Sequence, residues 1–571
     1  MLQLLAACSA AAASYGECQP KDGVYRHQPQ YHVIAPLFAR NGSALRWPGG
    51  VNDANAVFER AGVFHIMHQC DGGPPGVPCG GGHEGPAGAD RPAGEQVWWH
   101  TWGHVVSRDL VRWQRVRDAL TPEAANYEHG ADCDGTVSFV ASAAGGGTAP
   151  VMLFGPGCDF KKGTEGAARR GRRRLDAAAV GVARPANASD PLLLDWVKDA
   201  ANPVRFDGAP CSFAGTLWRS SNASGGGTWN MVCAAGGQWA RYTTDDDALH
   251  GPWAMADPSF AGGLGGRSGP AFFPLGAAAA GGGDAGGGDA GGGDAGSSSP
   301  THVVSDGSGA AYSAGTVDAD GTKFLPLENG SFQVDFGRLG WTAAGVAASD
   351  GRLLLTGWVA GGNDAAAQAA GCPAVKGIAV CGVQAESLVR VLSWERATRR
   401  LISYPPHELA GLRNGTLWNH SAAVPRGANL SLTHAAGTAM DLVVRFGLPG
   451  APPAVPFTLG ASVFAAADGT GGTELTVLVA AAGGGMAATL QIGGNSNKTT
   501  FPILAGERTL ELRALVDRSI VEWFVGGGRA VKTDRAYLEG SHAAVFCSGG
   551  GGVTSVDVTA FDMGCGWVGQ S

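Results

Sequence analysis

The chain has 571 residues, a formal net charge of −8 at pH 7, only 16% charged residues and 93 glycines. That length allows more than one domain and a large core. A charge-poor, mildly acidic chain gives no reason to expect nucleic acid or an anionic membrane surface as a partner, and so many glycines suit short strands joined by tight turns.

In chain order, residues 1–20 begin with an apolar, small-residue run, Met1 to Ser14, which reads as a secretory signal without a basic start. It is too short to cross a bilayer, and no other uncharged apolar run approaches 20 residues, so no membrane span is expected. N-glycosylation triplets at Asn41, Asn187, Asn222, Asn329, Asn414, Asn419, Asn429 and Asn497, with 12 cysteines, favour the secretory route. Close pairs in sequence are Cys70/Cys79, Cys133/Cys158, Cys211/Cys233, Cys372/Cys381 and Cys547/Cys565, with Cys18 left over, although spacing does not fix connectivity. No Cys-x-x-Cys occurs, so neither a zinc nor a redox motif is indicated, and no cofactor or metal is expected.

From about residue 25 to 113, short apolar runs are broken by Gly, Pro and Asn. Phe64–Met67 and His104–Ser107 have strand length, and residues 71–92 read as a loop. The basic run at 169–174 reads as a solvated loop. Residues 276–300 carry three Gly-Gly-Gly-Asp-Ala units, a low-complexity insertion unable to pack a core. Its Asp284, Asp289 and Asp294 lack the rest of a calcium-loop pattern. From about residue 423 short strands resume. Glu474-Leu475-Thr476-Val477 alternates with period two, and Leu478-Val479 breaks the alternation.

Asn52-Asp53-Ala54-Asn55, taken alone, is a polar turn leading into the apolar pair Val57-Phe58, because Asn and Asp side chains bond nearby backbone. Its company changes the reading. Phe64-His65-Ile66-Met67-His68-Gln69 follows, then Trp102-Gly103-His104-Val105-Val106-Ser107-Arg108-Asp109-Leu110. In that order these stretches resemble the opening of glycoside hydrolase family 32, the invertases and fructan hydrolases. Asp134 to Phe139, Val334 to Gly337 and Leu353 to Val359 resemble later strands of that family. Leu515-Val516-Asp517-Arg518-Ser519-Ile520-Val521-Glu522-Trp523-Phe524 resembles its C-terminal region most specifically. The resemblance implies an all-β fold: a five-bladed β-propeller over residues 25–413 followed by a C-terminal β-sandwich over residues 423–571. It also implies a small carbohydrate substrate, sucrose or a fructan.

Family members hydrolyse with retention. One carboxylate attacks the anomeric carbon and a carboxylic acid about 5–5.5 Å away protonates the leaving oxygen. By resemblance Asp53 is the nucleophile, and Asn52, Gln69, Trp102 and Asp134 belong to the substrate-binding wall. Two other carboxylate positions are altered. Phe213 falls where the third, sugar-binding carboxylate belongs, and Ser268 where the acid/base belongs. The nearest replacements in sequence, Asp207 and Asp257, are several residues out of register, and a one-residue slip turns a strand's side chains over. The residues therefore leave two readings, a β-fructofuranosidase-type hydrolase with an altered acid, or a catalytically impaired carbohydrate-binding relative. A purely structural extracellular glycoprotein is weaker, because Asn52, Asp53 and Gln69 persist together.

Overall fold

The computed structural model describes residues 27–34, 50–71, 100–122, 132–141, 148–156, 180–211, 213–221, 227–235, 238–261, 270–275, 300–306, 311–328, 331–346, 349–359, 374–375, 378–379, 385–491, 498–548 and 552–568. The signal-like segment, the basic run at 169–174 and all but the last residue of the 276–300 insertion lie outside them. The described residues are nearly all strand, with a 3₁₀ segment at His407–Leu412.

Five sheets each carry an inner strand followed outward by antiparallel neighbours, and in the third the short strand Phe206–Asp207 adds parallel to the outermost of these, Trp253–Asp257. The inner strands are Gly50–Arg60, Asp132–Ala141, Phe213–Ser221, Pro270–Pro274 and Leu339–Val346. Each packs against the next, and Leu339–Val346 packs back on Gly50–Arg60, which closes a five-bladed propeller. Closure needs a bare backbone at one point. A Cβ on Gly345 would lie 1.9 Å from the Val57 carbonyl, so only glycine fits between the fifth and first blades.

Two six-stranded sheets follow and pack face to face as a sandwich. Their inner faces bury Met440, Leu442, Val444, Leu459, Val477 and Trp523, among others. The strand Thr473–Ala482 keeps its alternation further than the sequence suggests. Leu475, Val477 and Val479 are all buried while Leu478 is only half-buried, so Leu478 is an outward apolar residue and not a break in the pattern.

The strands Thr509–Asp517 and Ile520–Val525 are buried on both faces, since they carry the sandwich core on one side and the propeller on the other. Asp517 and Glu522 on them are fully buried and tie the two domains together. His32 Nδ1 lies 2.8 Å from Asp517 and its Nε2 3.1 Å from Glu522. Arg390 donates to Glu522 at 2.8 Å and to Asp335 at 2.8 Å, and Thr533 Oγ1 donates to Asp335 at 2.6 Å. Burial alone would raise the Glu522 carboxyl, but the Arg390 guanidinium and His32 pull it down to about 2.

Cys211 and Cys233 form a disulfide. The close pair Cys547/Cys565 does not form: Cys547 is buried and free, whereas Cys565 is bridged to a partner outside the described residues. Sequence proximity failed here because the two cysteines sit on separate sheets, Cys547 within His542–Ser548 and Cys565 just after Ser555–Met563.

Candidate active site

From the inner strand outward, successive strands of each blade run antiparallel, with one parallel strand added at the rim of the third, so the inner strands run the same way and their N-terminal ends gather at one mouth of the channel. Asp53 is the fourth residue of Gly50–Arg60, Asp134 the third of Asp132–Ala141, and Phe213 the first of Phe213–Ser221. Ser268, two residues before Pro270–Pro274, lies outside the described residues. The backbone of Phe213 is described, pairing with Ala234, but its side chain is not.

Two register shifts interrupt the first blade's pairing, between Val51 and Ala54 and between Ala54 and Ala56. Bulges of this kind re-aim side chains. The result is that Asn52 and Asp53 are both half-buried, while Ala54 and Asn55, which lies within the second shift, are buried. The amide of Asn55 finds no hydrogen-bond partner among the described residues.

Gln69 and Trp102 pair across neighbouring strands and are 2% and 0% exposed. Gln69 Nε2 donates to the Asp134 carboxylate, and Trp102 Nε1 donates to the Cys133 carbonyl at 2.8 Å. In this structure both residues hold the wall of the mouth from behind and face no open space.

Behind that wall three histidines are buried on adjacent strands. His65 Nδ1 lies 2.9 Å from His104 Nε2. Burial lowers His65 to about 3 and His68 to about 4, and lowers His104 well below its ordinary value. The three are therefore neutral near pH 7 and supply no positive charge. Among the described residues no group of three His, Cys, Asp or Glu is arranged to hold a metal ion.

Asp207 and Asp257 do not approach the mouth. They lie in the two outermost strands of the third blade, Phe206–Asp207 and Trp253–Asp257, with Phe213–Ser221 at the opposite edge of that sheet. The carboxyl that does come near Asp53 is Glu386. It sits in the short strand Ala385–Glu386, opposite Trp358. Trp358 is next to Val359, which pairs with the start of the fifth inner strand, Leu339, so Glu386 lies at the same mouth. Its strand also packs against Gly50–Arg60. Glu386 is 0% exposed, and neither oxygen has a hydrogen-bond partner among the described residues. Burial first, and then the charge of Asp53, push its carboxyl well above the usual range. The available sequence signal was an acidic residue in the apolar stretch Val383-Gln384-Ala385-Glu386-Ser387-Leu388-Val389.

Residues 472–562 match the model of the C-terminal region of glycosyl hydrolases family 32. Beta-fructofuranosidase 1 of Zea mays is 25% identical over 539 residues, covering 85% of this chain and 73% of that protein. Fructan 6-exohydrolase of Triticum aestivum is 31% identical over 177 residues, covering 31% of this chain and 22% of that protein. Among solved structures, fructan 1-exohydrolase IIa from Cichorium intybus has a TM-score of 0.66 at 22% identity, covering 96% of this chain and 100% of that one. A family 32 beta-fructofuranosidase of Bombyx mori has a TM-score of 0.59 at 16% identity, covering 100% and 99%. At those identities the two structures speak for the fold.

Proposed function

We propose that this chain, which the C-terminal family match, the relatives and the structural neighbours all liken to glycoside hydrolase family 32, is a β-fructofuranosidase-type hydrolase of sucrose or a fructan with Asp53 as its nucleophile. The observation that carries this reading is the position of Asp53, half-buried at the mouth of the channel on the bulged inner strand of the first blade. From there its carboxylate attacks the anomeric carbon of a fructosyl unit, giving a fructosyl ester that water then opens, with net retention. Asn52 and the Asp134 carboxylate braced by Gln69 form the sugar-facing wall, with Trp102 packed behind it.

The departure from the family pattern sets the expected substrate range. At position 268 a serine cannot protonate a departing alcohol near neutral pH, and losing general-acid help costs about 10²–10⁴ in rate. Phe213 removes a carboxylate that would hold fructose hydroxyls. Sucrose, whose leaving alkoxide needs a proton, is accordingly a poor substrate. An aryl fructoside, whose phenolate leaves unaided, is a better one. The same two substitutions favour a second reading, a carbohydrate-binding relative without turnover.

Kinetics on both substrates separate the readings. The hydrolase reading expects cleavage of the aryl fructoside that disappears in Asp53→Asn, with negligible sucrose turnover. Sugar binding with no cleavage of either substrate supports the binding protein instead. We further propose the secretory route, supported by the Cys211–Cys233 disulfide and by exposed glycosylation triplets at Asn187, Asn414, Asn419 and Asn429. Among the described residues no helix is long and apolar enough to cross a membrane.

A further inference from the structure

We propose that Glu386 is a positioning residue for Asp53: a neutral carboxylic acid held dry beside the nucleophile, which confines the pair to one negative charge and keeps that charge on Asp53. The proposal rests on the assignment of Asp53 as nucleophile.

Ala385–Glu386 is pinned on two sides, by pairing with Trp358 and Val359 and by the bond from the Glu386 amide to the Val33 carbonyl at 2.9 Å. Its third neighbour is the Gly50–Arg60 strand that carries Asp53. The side chain is thus fixed in a fully buried position, its two oxygens without a partner among the described residues. A buried carboxylate without partners is among the most costly groups a fold can hold, and it escapes the cost by keeping its proton. When two carboxyls are neighbours, one charge suppresses the other, and the drier group holds the proton. Glu386 is wholly buried and Asp53 only half-buried, so the proton belongs on Glu386 and the charge on Asp53. That is the state a nucleophile requires. A second, unpartnered charge on Glu386 would repel the Asp53 carboxylate from its place, and two neutral carboxyls would disarm it.

The other charged groups around Glu386 are engaged elsewhere. On the Gly50–Arg60 strand, Glu59 accepts from the backbone of Gly62 and Ser349, and Arg60 donates to the carbonyls of Thr148 and Ala188. The strand Leu353–Val359 carries no titratable side chain. Next to Val33, His32 faces Asp517 and Glu522. Arg390 is taken by Glu522 and Asp335, and Arg535 donates to the Ser519 hydroxyl and the Val359 carbonyl. The charge that adds to burial in raising the Glu386 carboxyl is that of Asp53.

The test uses the full-length protein, Glu386→Gln, Asp53→Asn and the double variant, with two readouts. The first is thermal stability against pH, which needs no activity. A carboxyl whose folded value is raised contributes stability that is fully present below its unfolded value and lost as pH rises toward the folded one. The wild type should therefore lose stability relative to Glu386→Gln as pH rises above the ordinary carboxyl range. In the Asp53→Asn background that loss should be complete at a lower pH, since the neighbouring charge is gone. The second readout is kcat/KM on an aryl fructoside, a substrate that needs no acid. The wild type should show an alkaline limb that Glu386→Gln lacks. A stability difference between wild type and Glu386→Gln that does not change with pH overturns the proposal, as does an alkaline limb retained in Glu386→Gln. If no aryl fructoside is cleaved, the reading of Asp53 as nucleophile fails, while the stability arm still decides whether Glu386 holds its proton against Asp53.

Discussion

Gln69 and Trp102 stand opposite each other on adjacent strands of the first blade, and both reach into the second blade at consecutive residues. Gln69 bonds the Asp134 side chain and Trp102 bonds the Cys133 carbonyl. Two buried donors thus fix the segment that presents Asp134 at the mouth. Gln69→Ala removes one donor from a buried carboxylate, a loss of about 1–3 kcal/mol. Urea unfolding should show a lower midpoint with an unchanged slope, and the KM for an aryl fructoside should rise more than kcat falls.

The altered positions can be restored. Ser268→Glu supplies the missing acid at the family's position, and sucrose turnover should rise by up to about 10²–10⁴. Adding Phe213→Asp should raise it further, although groups acting as a unit do not contribute additively. Aryl fructoside cleavage should change much less than sucrose cleavage, because its leaving group needs no proton. Equal gains on both substrates would mean that the new carboxyls improve binding and not proton transfer.

The joint between propeller and sandwich predicts a pH signature. Burial alone would lower His32, but its hydrogen bonds to Asp517 and Glu522 raise it above its ordinary 6.5. Its contribution to stability is therefore fully present below 6.5 and lost as pH rises beyond that value. Glu522 is lowered from 4.5 to about 2, so its contribution is present above 4.5 and lost as pH falls toward 2. Near pH 5.5, Glu522→Gln should destabilise the protein by about 3–5 kcal/mol, since it breaks a buried pair and strands Arg390. That difference should shrink on acidification, as measured by calorimetry or chemical unfolding. Activity per folded molecule should survive, because Glu522 belongs to the joint and not to the mouth.

The three neutral histidines predict how the protein meets acid. Their folded values lie below 6.5, so their contribution is present above that pH and declines as pH falls through it toward 3. Replacing His65 by Phe, an uncharged ring that can stack on Phe58 as the imidazole does at 4.7 Å, should lower the pH of acid unfolding. An unchanged acid midpoint would show that the cluster does not govern acid stability.

Much of the fold was legible because its signals are local. The Leu515–Phe524 strand pair reads directly from a short pattern, and Phe64–Met67 and His104–Ser107 fall within strands as their apolar runs predict; the polar turn expected at Asn52-Asp53 is instead a bulged part of the strand Gly50–Arg60, because pairing with Val63–Asp71 holds it extended. The site was legible only in part. Asp53 came from its motif, but Glu386 carries no motif. It matters because a short strand is folded back against the fifth blade and packed on the first, a contact some 330 residues distant in sequence that no local pattern encodes. Asp207 and Asp257, out of register in the sequence, do lie on the outer edge of their blade, away from the mouth. Asp517 and Glu522 are buried because the propeller presses on a face that an isolated sandwich would expose.

The central claim is that Asp53 forms a covalent bond to fructose in a site that lacks its usual proton donor. In a retaining enzyme the residue that protonates the leaving group later deprotonates the attacking water. With serine at position 268, an aryl fructoside should load Asp53 readily and water should unload it slowly. The direct measurement is intact-protein mass spectrometry after rapid acid quench, followed by peptide mapping. The account predicts a mass increase of one fructosyl unit on the peptide containing Asp53, preceded by a burst of phenolate, and neither in Asp53→Asn. Steady turnover of the aryl fructoside with no adduct, or an adduct on another residue, would contradict it.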